Sequence, residues 1–102
     1  MRKTRRRYLL FTLHSEGAPV DEKRLVNAIR RNLLSLYGEI AVADSKLFLN
    51  KYDAESGVGI LQCTESMLES VAAAAALLGV VDNTKVSFEP RKTSGTMRGL
   101  IS

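Results

Sequence analysis

Tyr8-Leu9-Leu10-Phe11-Thr12-Leu13 places aromatic and apolar side chains in almost unbroken succession, and the run predicts a buried strand. Gly17, Pro19 and the acids beyond them end it. Leu25, Ile29, Leu33 and Leu36 then recur at helical spacing, one apolar stripe along an amphipathic helix. Asp21 is placed to cap that helix, Glu22 suits its positive end, and Gly38 supplies the stop. Lys23, Arg24, Asn27, Arg30 and Arg31 occupy the opposite side.

The second half repeats the alternation of strand and helix. Leu47 to Tyr52 and Val58 to Thr64 predict two strands joined by the polar loop Asp53-Ala54-Glu55-Ser56-Gly57. Residues 39–46 carry no clear period and are expected as an irregular approach to the first of these strands, or an extension of it. Ser66 with Glu69 fits a capping box, opening a helix that runs to Leu78 and closes at Gly79. Lys85 to Glu89 alternates with Val86 and Phe88 inward, and Pro90 marks the strand's exit or an edge. The order β-α-β-β-α-β predicts an α+β fold. It is the ferredoxin-like or RRM-like split βαβ sandwich, a four-stranded antiparallel sheet with its helices on one face.

One helix breaks the amphipathic rule. Val71 to Leu78 is apolar all the way round, so a second face must be covered, by another segment or by another chain. We expect a protein partner there, on Val71, Ala72, Ala75 and Leu78. Short alanine side chains permit close backbone approach.

Length and composition narrow the class. A chain of 102 residues, 45% apolar and 25% charged, is one globular domain over 1–102, with no apolar run long enough to span a membrane. No signal peptide is apparent, so a cytoplasmic location is expected. A single cysteine excludes an internal disulfide framework and a Cys-based zinc site. The net charge of +4 hides its distribution. Residues 1–7 carry Arg2, Lys3, Arg5, Arg6 and Arg7 with no acid, and residues 91–102 carry Arg91, Lys92 and Arg98 with no acid. Residues 8–90 hold seven bases and all eleven acids, a net −4. An acidic body with two basic ends points to a polyanion, with residues 1–6 as a flexible basic arm and 91–102 as a basic tail. In a split βαβ fold, Arg5 to Arg7 are expected near one end of the sheet and Arg91 with Lys92 toward the other. Arg30 and Arg31 form a third basic patch.

Catalytic groups are sparse. His14 is the only histidine and has no nucleophile at a telling spacing; it is expected to pack or hydrogen-bond locally. Cys63 ends an apolar strand and reads as a small buried hydrophobe. The acids are scattered, and Gly57-Val58-Gly59 leads into a strand, whereas phosphate-cradling loops lead into a helix. Base stacking on the sheet face needs aromatics on the central strands. Val58 to Thr64 has none, and Tyr8 and Phe11 point to opposite faces. Arg and Lys contact with phosphates of folded RNA therefore suits the chain better.

Three segments together resemble the ribonuclease P protein component 2 family of archaeal and eukaryotic type. They are Arg7-Tyr8-Leu9-Leu10-Phe11, then Lys51-Tyr52 followed by Gly59-Ile60-Leu61-Gln62-Cys63, and finally Ser94-Gly95-Thr96-Met97-Arg98. Their order and spacing cover residues 7 to 98. Gln62 stands where the family often has Arg, and Met97 where Ile is usual. The resemblance implies a noncatalytic, RNA-binding subunit of the ribonucleoprotein that removes the 5′ leader from precursor tRNA. Catalysis then belongs to the RNA and its magnesium ions, and the protein itself binds no cofactor. It implies two partners, ribonuclease P RNA and ribonuclease P protein component 3, with self-association into a heterotetramer. RNA contact is expected at Arg5, Arg6, Arg7, Arg91, Lys92 and Arg98, with Arg30 and Arg31 added from the helix face.

Two other functions share this fold class. An acylphosphatase-like hydrolase needs an anion cradle with an Arg and a positioned Asn. The loop Ser15-Glu16-Gly17-Ala18-Pro19 has no Arg and carries an acid. A small-molecule-binding regulatory module requires a ligand pocket and has no use for basic ends.

Overall fold

Leu9, Phe11 and Leu13 are buried while Tyr8, Leu10 and His14 are not, the alternation of a strand with one face on the core. A computed structural model describes residues 5–101 of the chain; the first four residues of the anticipated arm, and Ser102, lie outside them. Strand β1 (Arg6–Ser15) is longer at both ends than its apolar run, because its polar ends are paired too. Arg6 pairs with Thr64 and Ser15 with Val86.

Helix α1 (Glu22–Tyr37) is capped as its sequence requires, with the Asp21 carboxylate accepting from the backbone N–H groups of Lys23 and Arg24. Leu25, Ile29 and Leu33 are buried. Leu36 belongs to the same stripe but is exposed, since the helix outruns the core before Gly38 ends it at φ 91°. A second helix follows at once, α2 (Glu39–Ser45), where an irregular or extended segment was expected. Val42 packs against the core, the Ser45 hydroxyl donates to Val42 O at 2.7 Å, and Lys46 ends the helix at φ 47°.

Strands β2 (Phe48–Tyr52) and β3 (Val58–Thr64) form the expected hairpin. The capping box does not form. A 3-10 turn over Glu65–Met67 leads into α3 (Leu68–Ala76), whose N-cap is Met67, with no side-chain cap bond. The helix ends at Ala76, two residues earlier than expected, because β4 (Val80–Val81) begins almost immediately.

That short strand makes the sheet five-stranded, not four. A two-residue turn, Asp82-Asn83, joins β4 to β5 (Thr84–Ser94), with positive φ at both residues as a hairpin of this kind needs. Arg24 Nη1 donates to Asp82 Oδ2 at 2.6 Å, which ties the hairpin to α1. Strand β5 does not stop at Pro90. Leu10 pairs with Lys92 and Phe11 with Pro90, so Arg91 is the extra residue of a bulge and the strand continues to Ser94. A bulge is one of the few places where a proline without an N–H fits inside a sheet.

The sheet is antiparallel throughout, in the order β2-β3-β1-β5-β4. Helices α1 and α3 pack on one face over Leu9, Phe11, Leu13, Leu61 and Phe88. Phe11 is the centre of this core, stacked on Phe88 at 4.7 Å and facing Tyr52 at 6.2 Å. Tyr52 in turn donates its hydroxyl to Val20 O at 2.9 Å. A last helix, α4 (Met97–Ile101), packs against β1 and β5 from the other side. Its Leu100 is buried outside the main core.

Candidate nucleic-acid interface

Antiparallel pairing of β1 with β5 places the end of β5 beside the start of β1. Tyr8 is opposite Ser94, Leu9 opposite Thr93 and Leu10 opposite Lys92. The tail beyond β5 therefore comes alongside the start of β1, while Arg91 and Lys92 lie near the middle of that strand, beside Leu10 and Phe11, and not at the end of the sheet opposite Arg5 to Arg7 as expected. Arg5, Arg6, Arg7 and Tyr8 line a groove of about 460 Å³ with Gly95. Gly95 sits directly beside the Arg7 guanidinium, where a Cβ would lie 3.4 Å from Nη1, an ordinary contact distance.

The tail motif shapes that end of the molecule. The Ser94 hydroxyl accepts from Thr96 N at 3.1 Å, and the Thr96 hydroxyl accepts from Gly99 N at 3.1 Å. The second bond caps α4. Gly99 sits so close to the Ser94 hydroxyl that any side chain there would collide with it.

The arginines are not equivalent. Arg5 extends the sheet, its carbonyl accepting from Glu65 N at 2.8 Å. Arg6 points to the outer face, where it lines a second cleft of about 180 Å³ with Lys46, Gln62, Cys63 and Thr64. Arg7 Nη2 donates to Glu65 Oε1 at 2.8 Å. Its hydrogen bond, then the charges of Arg7 and Arg5, hold the Glu65 carboxyl below its ordinary range.

Arg91 reaches from the bulge to Thr12 Oγ1 at 3.2 Å, and Lys92 is exposed across from Leu10. Arg98 is exposed on α4. Arg30 and Arg31 do not line the groove. Arg30 is half-buried on α1 and donates to Leu47 O and Asn27 Oδ1, while Arg31 is exposed beside it. Sequence reasoning passed over Lys46; its only signal is a base directly before a strand rich in apolar residues.

The anticipated protein-interface residues need correction. Val71, Ala75 and Leu78 are buried in the chain's own core and Ala72 packs against it. The second cover that the apolar helix demanded is α1: Asn32 Nδ2 donates to Ala74 O at 3.1 Å. The residues of this segment left on the surface are Ala73, Ala76 and Leu77.

Among the described residues, the remaining groups that could do chemistry lie apart from the groove. His14 Nε2 lies 2.7 Å from Glu89 Oε1, an exposed pair on neighbouring strands. Cys63 is buried, and burial pushes its thiol up to about 11. Among the described residues, no three of His, Cys, Asp and Glu are grouped to hold a metal ion, and no helix is long and apolar enough to cross a membrane.

Comparison with known proteins agrees with this architecture. The ribonuclease P protein component 2 of Aeropyrum pernix is 29% identical over 98% of this chain and 82% of its own length. That of Archaeoglobus fulgidus is 33% identical over 94% of this chain and 84% of its own. A chain in the structure of yeast ribonuclease MRP shares the fold, with a TM-score of 0.72 at 10% identity, over 94% of this chain and 78% of that one. The Rpp14/Pop5 family matches residues 7–101, nearly the whole chain, and the protein belongs to that family.

Proposed function

We propose that this protein is an RNA-binding subunit of ribonuclease P, which holds the catalytic RNA in shape for removal of the 5′ leader from precursor tRNA. The carrying observation is the convergence of Arg5, Arg6 and Arg7 with Gly95 of the tail into one basic groove beside a body, residues 8–90, that is net acidic. Guanidinium groups neutralise closely spaced phosphates and so favour a compact RNA at lower magnesium. Catalysis in this reading stays with the RNA and its magnesium ions. In this reading the fold is a ferredoxin-like sandwich extended by β4, which the order β2-β3-β1-β5-β4 supports. Protein component 3 is the second partner, in a complex with two copies of each. Exposed apolar side chains that could meet it include Leu36, Tyr37 and Ile40 at the α1–α2 corner and Leu77 just past α3.

Reconstitution tests the proposal. The protein is mixed with a ribonuclease P RNA and component 3, and precursor tRNA cleavage is measured at limiting magnesium. Cleavage is expected to need all three; an equal rate without this protein defeats the reading. In direct binding, neutralising about five phosphates gives a log–log salt slope near −4. Joint replacement of Arg5, Arg6 and Arg7 by Ala lowers affinity and flattens that slope.

A further inference from the structure

Tyr8, Gln62 and Phe48 form one row across the outer face of the sheet. Tyr8 pairs with Gln62 between β1 and β3, and Gln62 pairs with Phe48 between β3 and β2. Cross-strand partners project to the same side. It is the side away from the main core, because the next row, Leu9, Leu61 and Leu49, is the buried one. Phe48 is 57% exposed on the edge strand. Asn50 Nδ2 donates to Gln62 Oε1 at 2.7 Å, which orients the carboxamide and leaves its own NH2 as a donor without a partner among the described residues. Arg6 and Lys46 line the cleft beside Gln62, and no acid lines it with them.

The third strand has no aromatic residue, and on that count the sheet face is a poor platform for bases. The register changes the count, because β2 supplies Phe48 to the row that holds Tyr8. We propose that this row binds one unpaired nucleotide of an RNA. The base stacks on Phe48, Gln62 Nε2 donates to an acceptor on the base edge, and the phosphate lies between Arg6 and Lys46. The inference rests on the RNA-binding reading above and adds a subsite to it. An unpaired base exposes both a flat face and its hydrogen-bonding edge. An apolar protein segment laid on Phe48 instead would strip water from two cations and a carboxamide and offer them nothing in return.

The test uses the full-length protein and two labelled RNAs, a short oligouridylate and a blunt, fully paired duplex, followed by fluorescence anisotropy across a salt series. Stacking on one aromatic side chain accounts for roughly a ten- to hundredfold gain in affinity. Phe48→Ala is therefore expected to weaken oligouridylate binding by about that factor with an unchanged salt slope, and to leave duplex binding as it was. The chain contains no tryptophan, so Phe48→Trp introduces a single indole. Its emission is expected to be quenched as the oligouridylate binds, at an affinity no lower than that of the wild type. Wild-type affinity in Phe48→Ala, or an indole whose emission ignores bound RNA, overturns the subsite. If joint replacement of Arg5 and Arg6 by Ala still lowers binding in that case, the RNA-binding reading stands without it. A wild-type protein that binds neither RNA overturns both.

Discussion

Arg7 and Glu65 are bound to one another across the end of β1 and the turn that follows β3, Nη2 to Oε1 at 2.8 Å. Both side chains are a third or more exposed, so the pair adds little to the stability of the fold. Its consequence is for the groove. One of three arginines there carries its own counter-ion, and a phosphate that takes Arg7 must first displace a carboxylate. Arg5 and Arg6 have no such competitor among the described residues.

Replacing Glu65 by Gln should accordingly strengthen RNA binding by a few fold and steepen the salt slope by up to about one, the share of one added phosphate contact. Acid should mimic the substitution. The folded carboxyl sits below its ordinary range, so the pair's small stabilisation is present at neutral pH and is lost as pH falls through that lowered value. Affinity of the wild type should rise over that interval relative to Glu65→Gln, which has nothing to titrate there. Binding titrations at several pH values decide it; a Glu65→Gln protein that binds more weakly than the wild type removes Glu65 as the competitor.

The parts of this molecule that could be read from the chain are those whose signal is local. The apolar stripe of α1 and the Asp21 cap are written in consecutive residues, and the structure shows both. Helix α2 and strand β4 are too short to set a period; the positive φ that ends α2 at Lys46 has no side-chain signal, whereas the turn before β5 had one in the Asp82-Asn83 pair, which tolerates positive φ. The arginine run was legible as a polyanion signal. Its meeting with Gly95 was not, because it depends on the pairing of residues more than eighty positions apart. Pro90 misled for the same reason: a proline argues against a strand until the bulge at Arg91 is known. For α3, composition showed that two faces need cover, but not that α1 is the second cover.

Gly59 has a role its place in the motif does not explain by itself. A Cβ there would lie 2.6 Å from Phe11 Cζ and 2.9 Å from Lys51 O, between the central ring of the core and the neighbouring strand. Gly59→Ala is expected to destabilise the protein by about 1–3 kcal/mol, the usual cost of overpacking. Gly79 is the control, since a Cβ there meets nothing within 4 Å. Gly79→Ala should be neutral or stabilise by up to about 1 kcal/mol, through the unfolded chain. Urea unfolding of the two variants measures the difference. Equal midpoints would mean that Phe11 can move aside.

The alanine helix gives a sharp contrast within one turn. Ala75 is fully buried and Ala73 is exposed. Ala75→Lys forces an unpaired ammonium into the core and is expected to abolish the cooperative folding transition. Ala73→Lys should change stability by less than about 0.5 kcal/mol. Thermal unfolding followed by circular dichroism distinguishes them. Tolerance of Lys at position 75 would return that residue to the list of surface candidates for a protein partner.

Cys63 should behave as a core residue with a latent thiol. Its side chain is 2% exposed, and burial raises the thiol to about 11. At pH 8 the thiolate is then roughly one part in a thousand in the folded protein, against nearly a quarter for a free cysteine. A disulfide reagent such as Ellman's should label the native protein slowly, at a rate set by opening of the sheet, and the urea-unfolded chain at once. The same shift has a consequence for stability. A group whose folded value is raised contributes fully below its unfolded value, and that contribution is lost as pH rises toward the folded value. Unfolding midpoints should therefore fall as pH climbs from the ordinary thiol range toward 11. In Cys63→Ala the part of that slope due to the thiol should vanish. An unchanged slope would assign the alkaline loss to other groups and leave Cys63 as apolar packing alone.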